Sequence, residues 1–226
     1  MNNKNISFEQ LCGMIDHTFL KPYGTAEDII NLCREAMEYN FAMVAINPSE
    51  VKTCVDLLAK SPVRTGAAIG FPLGQNTPEV KAFETKDAIK NGATEIDTVI
   101  NIRALQKGTT DIVQREIADM VSICKPANVI CKVILETCYL TYEQKVTVCR
   151  IAKEEGVDFV KTSTGFGTGG ATAEDIQLMR SIVGPEIGVK ASGGVRDLAT
   201  ALSMINAGAT RIGTSASVKI VNELKN

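Results

Sequence analysis

Three lysines stand inside apolar runs at one repeated interval. They are Lys132 in Ile-Cys-Lys-Val-Ile, Lys161 in Asp-Phe-Val-Lys-Thr and Lys190 in Ile-Gly-Val-Lys-Ala, with 161 − 132 = 29 and 190 − 161 = 29. A single lysine at a strand end ordinarily carries its ammonium out to water. If the interval is one strand-plus-helix unit, however, the three sit on neighbouring strands only ~4.8 Å apart, at similar heights. Crowded ammoniums have a chemical use. A lysine of pKa ~10.4 is neutral about once in 2,500 at pH 7, and lowering that pKa toward ~7 costs the protonated form ~4.6 kcal/mol. A unit charge at ~4 Å in an effective dielectric of ~20 supplies ~4 kcal/mol, so a second lysine on the next strand nearly suffices. The chemistry such an amine performs is Schiff-base formation with a carbonyl, the iminium then serving as an electron sink.

A carboxylate accompanies the lysines. Asp97 lies in Glu-Ile-Asp-Thr-Val-Ile-Asn, where strand alternation puts Asp97, Val99 and Asn101 on one face. A buried carboxylate needs a cation, and one among lysines can also act as a general acid/base through water. Asp16, in Ile-Asp-His-Thr, is placed at the end of the first strand as a helix cap or a substrate contact. Two segments share the pattern K-x-S-x-G, Lys161 to Gly165 and Lys190 to Gly194, and a third, Arg211-Ile-Gly-Thr-Ser215, closes the last apolar run. Small-residue loops after strands bare backbone N–H groups to a phosphate, the more so when a helix follows, as it does from Ala216. Arg196 adds charge beside that position.

These residues need a scaffold that aims several strand ends at one point. Short β-rich runs are read near Met14 to Asp16, Phe41 to Ile46, Arg64 to Ile69, Glu95 to Ile100, Asn128 to Leu135, Phe159 to Lys161, Gly188 to Ala191 and Arg211 to Gly213. Helical periodicity fills the gaps at Thr25 to Asn40, Thr77 to Asn91, Asp111 to Cys124, Thr141 to Glu155, Thr172 to Val183 and Asp197 to Ala207, several opening on a Ser, Thr or Asp cap. Eight βα units in 226 residues with no linker predict one α/β domain over residues 1–226, a single (β/α)8 TIM barrel. The alternative, an open doubly wound sheet, wants a G-x-G-x-x-G after an early strand, which is missing. On a barrel, catalytic groups stand at the C-terminal strand ends and phosphate binds after strands seven and eight.

Composition narrows the class further. Lys and Arg number 24 against 26 Asp and Glu, a net charge of −2 with no basic excess for nucleic acid. No apolar run approaches the ~20 residues of a membrane span, and Met1 to Pro22 carries no export signal, so a soluble, cytoplasmic protein is expected. Seven cysteines without a C-x-x-C pair read as reduced thiols; Cys124, Cys131 and Cys138 recur every seven residues, but across different elements. His17 is the only histidine, so a multi-histidine zinc site is excluded, and no metal or other cofactor is expected.

The same residues resemble those of the 2-deoxyribose-5-phosphate aldolases of the short bacterial type. The resemblance runs through Ile15 to Pro22, Asn47 to Ser49, Ile69 to Gly74, Glu95 to Ile102, Lys132 to Thr137, Asp158 to Thr172, Val189 to Arg196 and Arg211 to Ala216, the stretch around Lys161 being the most specific. It implies a cofactor-free class I aldolase, cytoplasmic and assembled as a homodimer or homotetramer, acting on a phosphosugar. By position it makes Lys161 the Schiff-base lysine, Lys190 the neighbour that lowers its pKa and shuttles protons, and Asp97 the acid/base carboxylate. It places Lys132 and Asp16 around the substrate hydroxyls and Thr162, Gly165, Gly193, Gly194, Arg196, Gly213 and Ser215 around the substrate and its phosphate. Departures from the pattern are Ala45, where many members carry cysteine, Ser217, where glycine is frequent, and a chain ending at Lys225-Asn226 without the aromatic tail of some longer members. Other readings of the same residues are a different Schiff-base sugar-phosphate aldolase or transaldolase, a non-catalytic phosphosugar-binding barrel, and a pyridoxal-phosphate carrier.

Overall fold

In a computed structural model, which describes residues 6–225, eight parallel strands close into a barrel in sequence order. They are β1 (Ile15–Phe19), β2 (Met43–Ile46), β3 (Arg64–Ile69), β4 (Glu95–Val99), β5 (Ile130–Ile134), β6 (Phe159–Lys161), β7 (Gly188–Ser192) and β8 (Arg211–Thr214), with β8 paired back to β1. The helices are α1 (Phe8–Cys12), α2 (Ala26–Tyr39), α3 (Val51–Leu57), α4 (Pro78–Lys90), α5 (Ile102–Gln106), α6 (Thr110–Cys124), α7 (Tyr142–Glu154), α8 (Ala173–Val183), α9 (Leu198–Ala207) and α10 (Ser217–Glu223). The opening and closing residues of the sequence, Met1 to Asn5 and Asn226, lie outside the described residues. So does that part of the expectation about Met1 to Pro22.

Local chemistry explains the long helices. Thr25, Thr77, Thr141, Thr172 and Asp197 each accept a hydrogen bond from the backbone N–H three residues on, satisfying a donor the helix cannot pair itself. Gly208 ends α9 at φ 115°, a left-handed conformation that glycine adopts without penalty. The strands are buried on both faces, the helices covering the outer one, which is why they read as near-continuous apolar runs. α1, α3 and α5, of five to seven residues, were not anticipated: two turns or fewer give too little periodicity to read.

The barrel interior departs from an apolar core. Inward positions hold charged side chains, and small residues make the room for them. At Gly213 an added Cβ would lie 2.9 Å from Lys190 Cε, so the lysine occupies space that any side chain there would claim. At Gly188 it would lie 2.1 Å from the Phe159 ring, which seals the barrel below the charges. Overpacking of this kind costs ~1–3 kcal/mol. Gly188→Ala is therefore expected to lower unfolding stability by about that amount in urea titration; an unchanged midpoint would show that the ring has room to move.

Candidate active site

β4 is the strand on which the site is assembled. Its alternation turns Glu95 and Asp97 inward, and both are buried. Asp97 Oδ1 accepts from Lys132 at 2.7 Å, while its Oδ2 accepts from Lys161 at 2.9 Å and Lys190 at 2.7 Å. Lys190 reaches on to Asp16 at 2.5 Å, Asp16 to Arg211 at 2.7 Å, Arg211 to Glu95 at 3.3 Å, and Glu95 back to Lys132 in a close ion pair. The result is a closed ring of alternating charge: Asp97, Lys132, Glu95, Arg211, Asp16, Lys190. Lys161 hangs from Asp97 outside it. Each cation in the ring touches two carboxylates; Lys161 touches one.

That asymmetry settles which amine loses its proton. Burial pushes Lys161 down from its ordinary value of 10.5 to about 8, with Asp97 opposing and the neighbouring Lys190 and Lys132 adding to the fall. Burial by itself would raise the Asp97 carboxyl, but the three lysines outweigh it and hold it well below the usual range. Lys132, for which burial acts downward, is nevertheless raised by Asp97 and Glu95. Burial, more than the neighbouring lysine, is therefore what lowers Lys161, and the fall stops at about 8, short of the ~7 expected from the sequence.

The structure moves several residues from where the sequence places them. Lys161 and Lys190 are directly paired across β6 and β7, but Lys132 pairs with Phe159, two residues below Lys161, so the equal spacing does not mean equal height. Asp16 is the second residue of β1 rather than its end, fully buried beneath Lys190. Neither Asp16 nor Lys132 lines the pocket; Asp16 pairs with Lys190 and Arg211, and Lys132 pairs with Asp97 and Glu95 and donates to Met43 Sδ at 3.5 Å. Thr162 is also turned away: its hydroxyl donates to the Ser192 carbonyl and accepts from the Ser192 N–H, tying β6 to β7. Asn101 leaves the strand face to cap α5 through Ala104.

The pocket opens above Lys161 at the C-terminal ends of the strands, a cavity of about 500 Å³. Lys161, Gly165, Gly193, Gly194, Arg196, Gly213 and Ser215 all line it, together with Thr18, Leu20, Lys21, Thr164 and Phe166, which sequence reasoning did not single out. Gly193 and Gly194 both sit at φ 80° in the turn after β7, a backbone conformation that residues other than glycine resist. Beyond β8, the Ala216 N–H is engaged by the Thr214 hydroxyl at 2.9 Å, which folds the 213–217 turn against the pocket.

Two further anchors were not evident in the sequence. Glu136, at φ 56° after β5, holds the loop after β6: its buried carboxylate accepts from the Thr164 N–H at 3.2 and 3.3 Å and from the Thr164 hydroxyl. Phe166 on that loop meets Phe71 edge-on at 5.4 Å across the mouth. His17 lies in the wall between Glu35 at 2.9 Å and Ser217 at 2.8 Å, and burial lowers its pKa against the pull of Glu35. The seven cysteines are free thiols, all buried but Cys138. Among the described residues no cluster of three or more His, Cys, Asp or Glu is arranged to hold a metal ion, and no helix is long and apolar enough to cross a membrane.

Glu95 and Arg211 are the ring members missed at the sequence level. The signal was present: Glu95 precedes Asp97 by two residues, and Arg211 precedes Gly213 by two, so each shares an inward face. Because Asp97 neutralises three ammoniums, removing its charge should strand them. Breaking a buried pair costs ~3–5 kcal/mol, so Asp97→Asn is expected to be destabilised by about that much in chemical denaturation. Loss of less than ~1 kcal/mol would mean that the lysines find water in its place.

Comparison with known proteins places this geometry in context. The model of the DeoC/LacD family aldolases matches residues 11–221. A deoxyribose-phosphate aldolase from Bacteroides thetaiotaomicron is 75% identical over 221 residues, 98% of this chain and 93% of that protein. One from Thermococcus gammatolerans is 55% identical over 214 residues, 94% of this chain and 95% of its own. Among solved structures, the tetrameric deoxyribose phosphate aldolase of Aeropyrum pernix superposes with a TM-score of 0.91 at 36% identity, covering 97% of this chain and 93% of that one.

Proposed function

The chain belongs to the DeoC/LacD family of aldolases, and from that premise we propose that it reversibly cleaves 2-deoxyribose 5-phosphate to glyceraldehyde 3-phosphate and acetaldehyde through a Schiff base on Lys161. The observation that carries this reading is the position of Lys161: it is the one amine of the buried cluster that both reaches the pocket and lacks a second carboxylate. A pKa of about 8 in place of 10.5 raises its neutral fraction at pH 7 roughly 300-fold, to about a tenth of the molecules. Neutral Nζ attacks the C1 aldehyde of the open-chain sugar. The carbinolamine hydroxyl takes a proton and leaves as water, giving the iminium. A base then removes the C3 hydroxyl proton, the C3–C4 bond breaks, and its electron pair flows into the iminium to leave the acetaldehyde enamine. Protonation at carbon and hydrolysis free the second product and return the amine.

Proton transfer in this scheme runs between Lys161 and the Asp97–Lys190 pair beneath it. Asp97 Oδ2 lies within hydrogen-bond reach of both amines, so it passes a proton between them without leaving its place. Asp16 and Lys132 serve by position in the ring and not by touching the sugar, which revises the roles the family resemblance suggested. Gly193, Gly194, Gly213, Ser215 and Arg196 hold the phosphate at the β7 and β8 ends, Arg196 supplying charge and the side-chain-free turns giving access to backbone N–H groups. Gly165 borders the reacting end of the sugar. Beyond the site, the reading has the whole chain working as one barrel domain, in the cytoplasm, on sugar phosphate released by deoxyribonucleoside breakdown. The tetrameric relative supports a homo-oligomer.

Lys161→Ala is expected to abolish cleavage while keeping the barrel folded by circular dichroism, and turnover above a thousandth of the parent would sink the assignment of the nucleophile. The pH dependence has a fixed sign. Protonated Lys161 is inert, so kcat/KM should rise with pH through a midpoint near 8. A midpoint near 10.5, the value of an unperturbed lysine, would contradict the burial argument.

A further inference from the structure

Two members of the ionic ring lie far from the chemistry. Glu95 and Arg211 are the first residues of β4 and β8; both are buried, and neither lines the pocket or touches Lys161. Yet they close the ring, Arg211 bridging Asp16 at 2.7 Å and Glu95 at 3.3 Å. The Phe159 ring lies 5.3 Å from the Arg211 guanidinium and shields it from below. We propose that Arg211 and Glu95 are positioning residues that set the proton occupancy of Lys161 from two strands away, by fixing the charge balance of the barrel interior. The inference rests on Lys161 being the Schiff-base amine.

Charge counting carries it. The interior holds three carboxylates, Asp16, Glu95 and Asp97, and four basic groups, Lys132, Lys161, Lys190 and Arg211. The ring alone pairs three with three. A protonated Lys161 is therefore a fourth positive charge in a space with no fourth carboxylate, and a neutral Lys161 restores balance. Other groups face the cluster from its edges. Glu136 approaches Lys161 from the loop after β5 but is bound to Thr164, and Arg64 on β3 reaches Glu95 at 3.3 Å with half its side chain in water. Glu136 and its bond to Thr164 stay the same in the variants below; Arg64 stays in place but loses its charged partner in Glu95→Gln, and its half-exposed side chain is free to turn to water.

The signs follow. Arg211→Met leaves three carboxylates and three lysines, so a protonated Lys161 becomes the balanced state and holds its proton more firmly. Glu95→Gln leaves two carboxylates for four basic groups, so Lys161 gives up its proton more easily. The double variant, with two carboxylates and three lysines, has one excess positive charge, as the parent has. β4 and β8 each lie two strands from β6, roughly 10 Å, and a unit charge at that distance in an effective dielectric of ~20 moves an ionisation by about one pH unit.

The test is the pH profile of Lys161 labelling by acetaldehyde and borohydride, read by mass spectrometry on the Lys161 peptide in the parent, both single variants and the double. The parent midpoint should fall near 8. Arg211→Met should move it about one pH unit alkaline, with up to tenfold less labelling at pH 7, and Glu95→Gln about one unit acid. The double should return to within a few tenths of the parent. A merely structural role would weaken both single variants together, in urea unfolding and in labelling, without moving the midpoints in opposite directions. Unmoved midpoints, or two shifts of one sign, would overturn the inference while leaving Lys161 as the nucleophile. A parent with no label on Lys161 would instead overturn the Schiff-base reading and the inference with it. Glu95→Gln keeps the side-chain shape, so its acid shift decides the matter by itself if Arg211→Met fails to fold.

Discussion

Ionic groups without access to water hold a place inside a protein only if each finds its opposite, because stripping an ion of solvent costs several kcal/mol even after relaxation. In this barrel the requirement is met by the closed ring Asp97, Lys132, Glu95, Arg211, Asp16 and Lys190, contributed by β4, β5, β8, β1 and β7. Within the ring each carboxylate faces two cations and each cation two carboxylates; Lys161 and Arg64 add a third cation to Asp97 and Glu95 from outside it. The chain gains no obvious stability from the arrangement over an apolar core of equal volume. What it gains is a seventh position, Lys161, where the local balance loosens the hold on the proton. Reactivity at that nitrogen is a property of the whole ring and not of one neighbour.

The fold serves this ring in two ways. Strands in register bring side chains from distant parts of the sequence to fixed heights, so that Asp16 meets Arg211 from the other end of the chain. Glycine at positions such as 188 and 213 leaves the volume that Phe159 and Lys190 fill. Above the ring, the turns after β6, β7 and β8 form the pocket wall, and Glu136 clamps the first of them through Thr164. The rigid charged floor and the loop-built wall divide the work: one sets the proton affinity of the amine, the other selects what reaches it.

Much of this was legible in the sequence. Eight apolar runs separated by capped helical segments identify the barrel, and the lysine trio with Asp97 identifies the reactive cluster. Short helices such as α3 and α5 escaped because they are shorter than the period that reveals them. Asp16 and Lys132 sit below the pocket lining, where the sequence does not place them, because spacing along the chain fixes which strand a residue occupies but not its height within a sheared barrel. Arg211 and Glu95 escaped for a related reason. Their inward faces are readable from the alternation, but the pairing of Arg211 on β8 with Glu95 on β4, across the barrel, is recorded in no local pattern. Glu136 took on its role through a left-handed backbone turn that the sequence alone does not disclose.

The buried ring leaves Lys161 as the amine of low proton affinity. The most direct measurement is an NMR titration of the protein carrying isotopically labelled lysine side chains, with the Lys161 resonance assigned by its absence in Lys161→Ala. This one assigned amine is expected to titrate near pH 8. A Lys161 resonance that stays protonated to an ordinary value near 10.5 would contradict it.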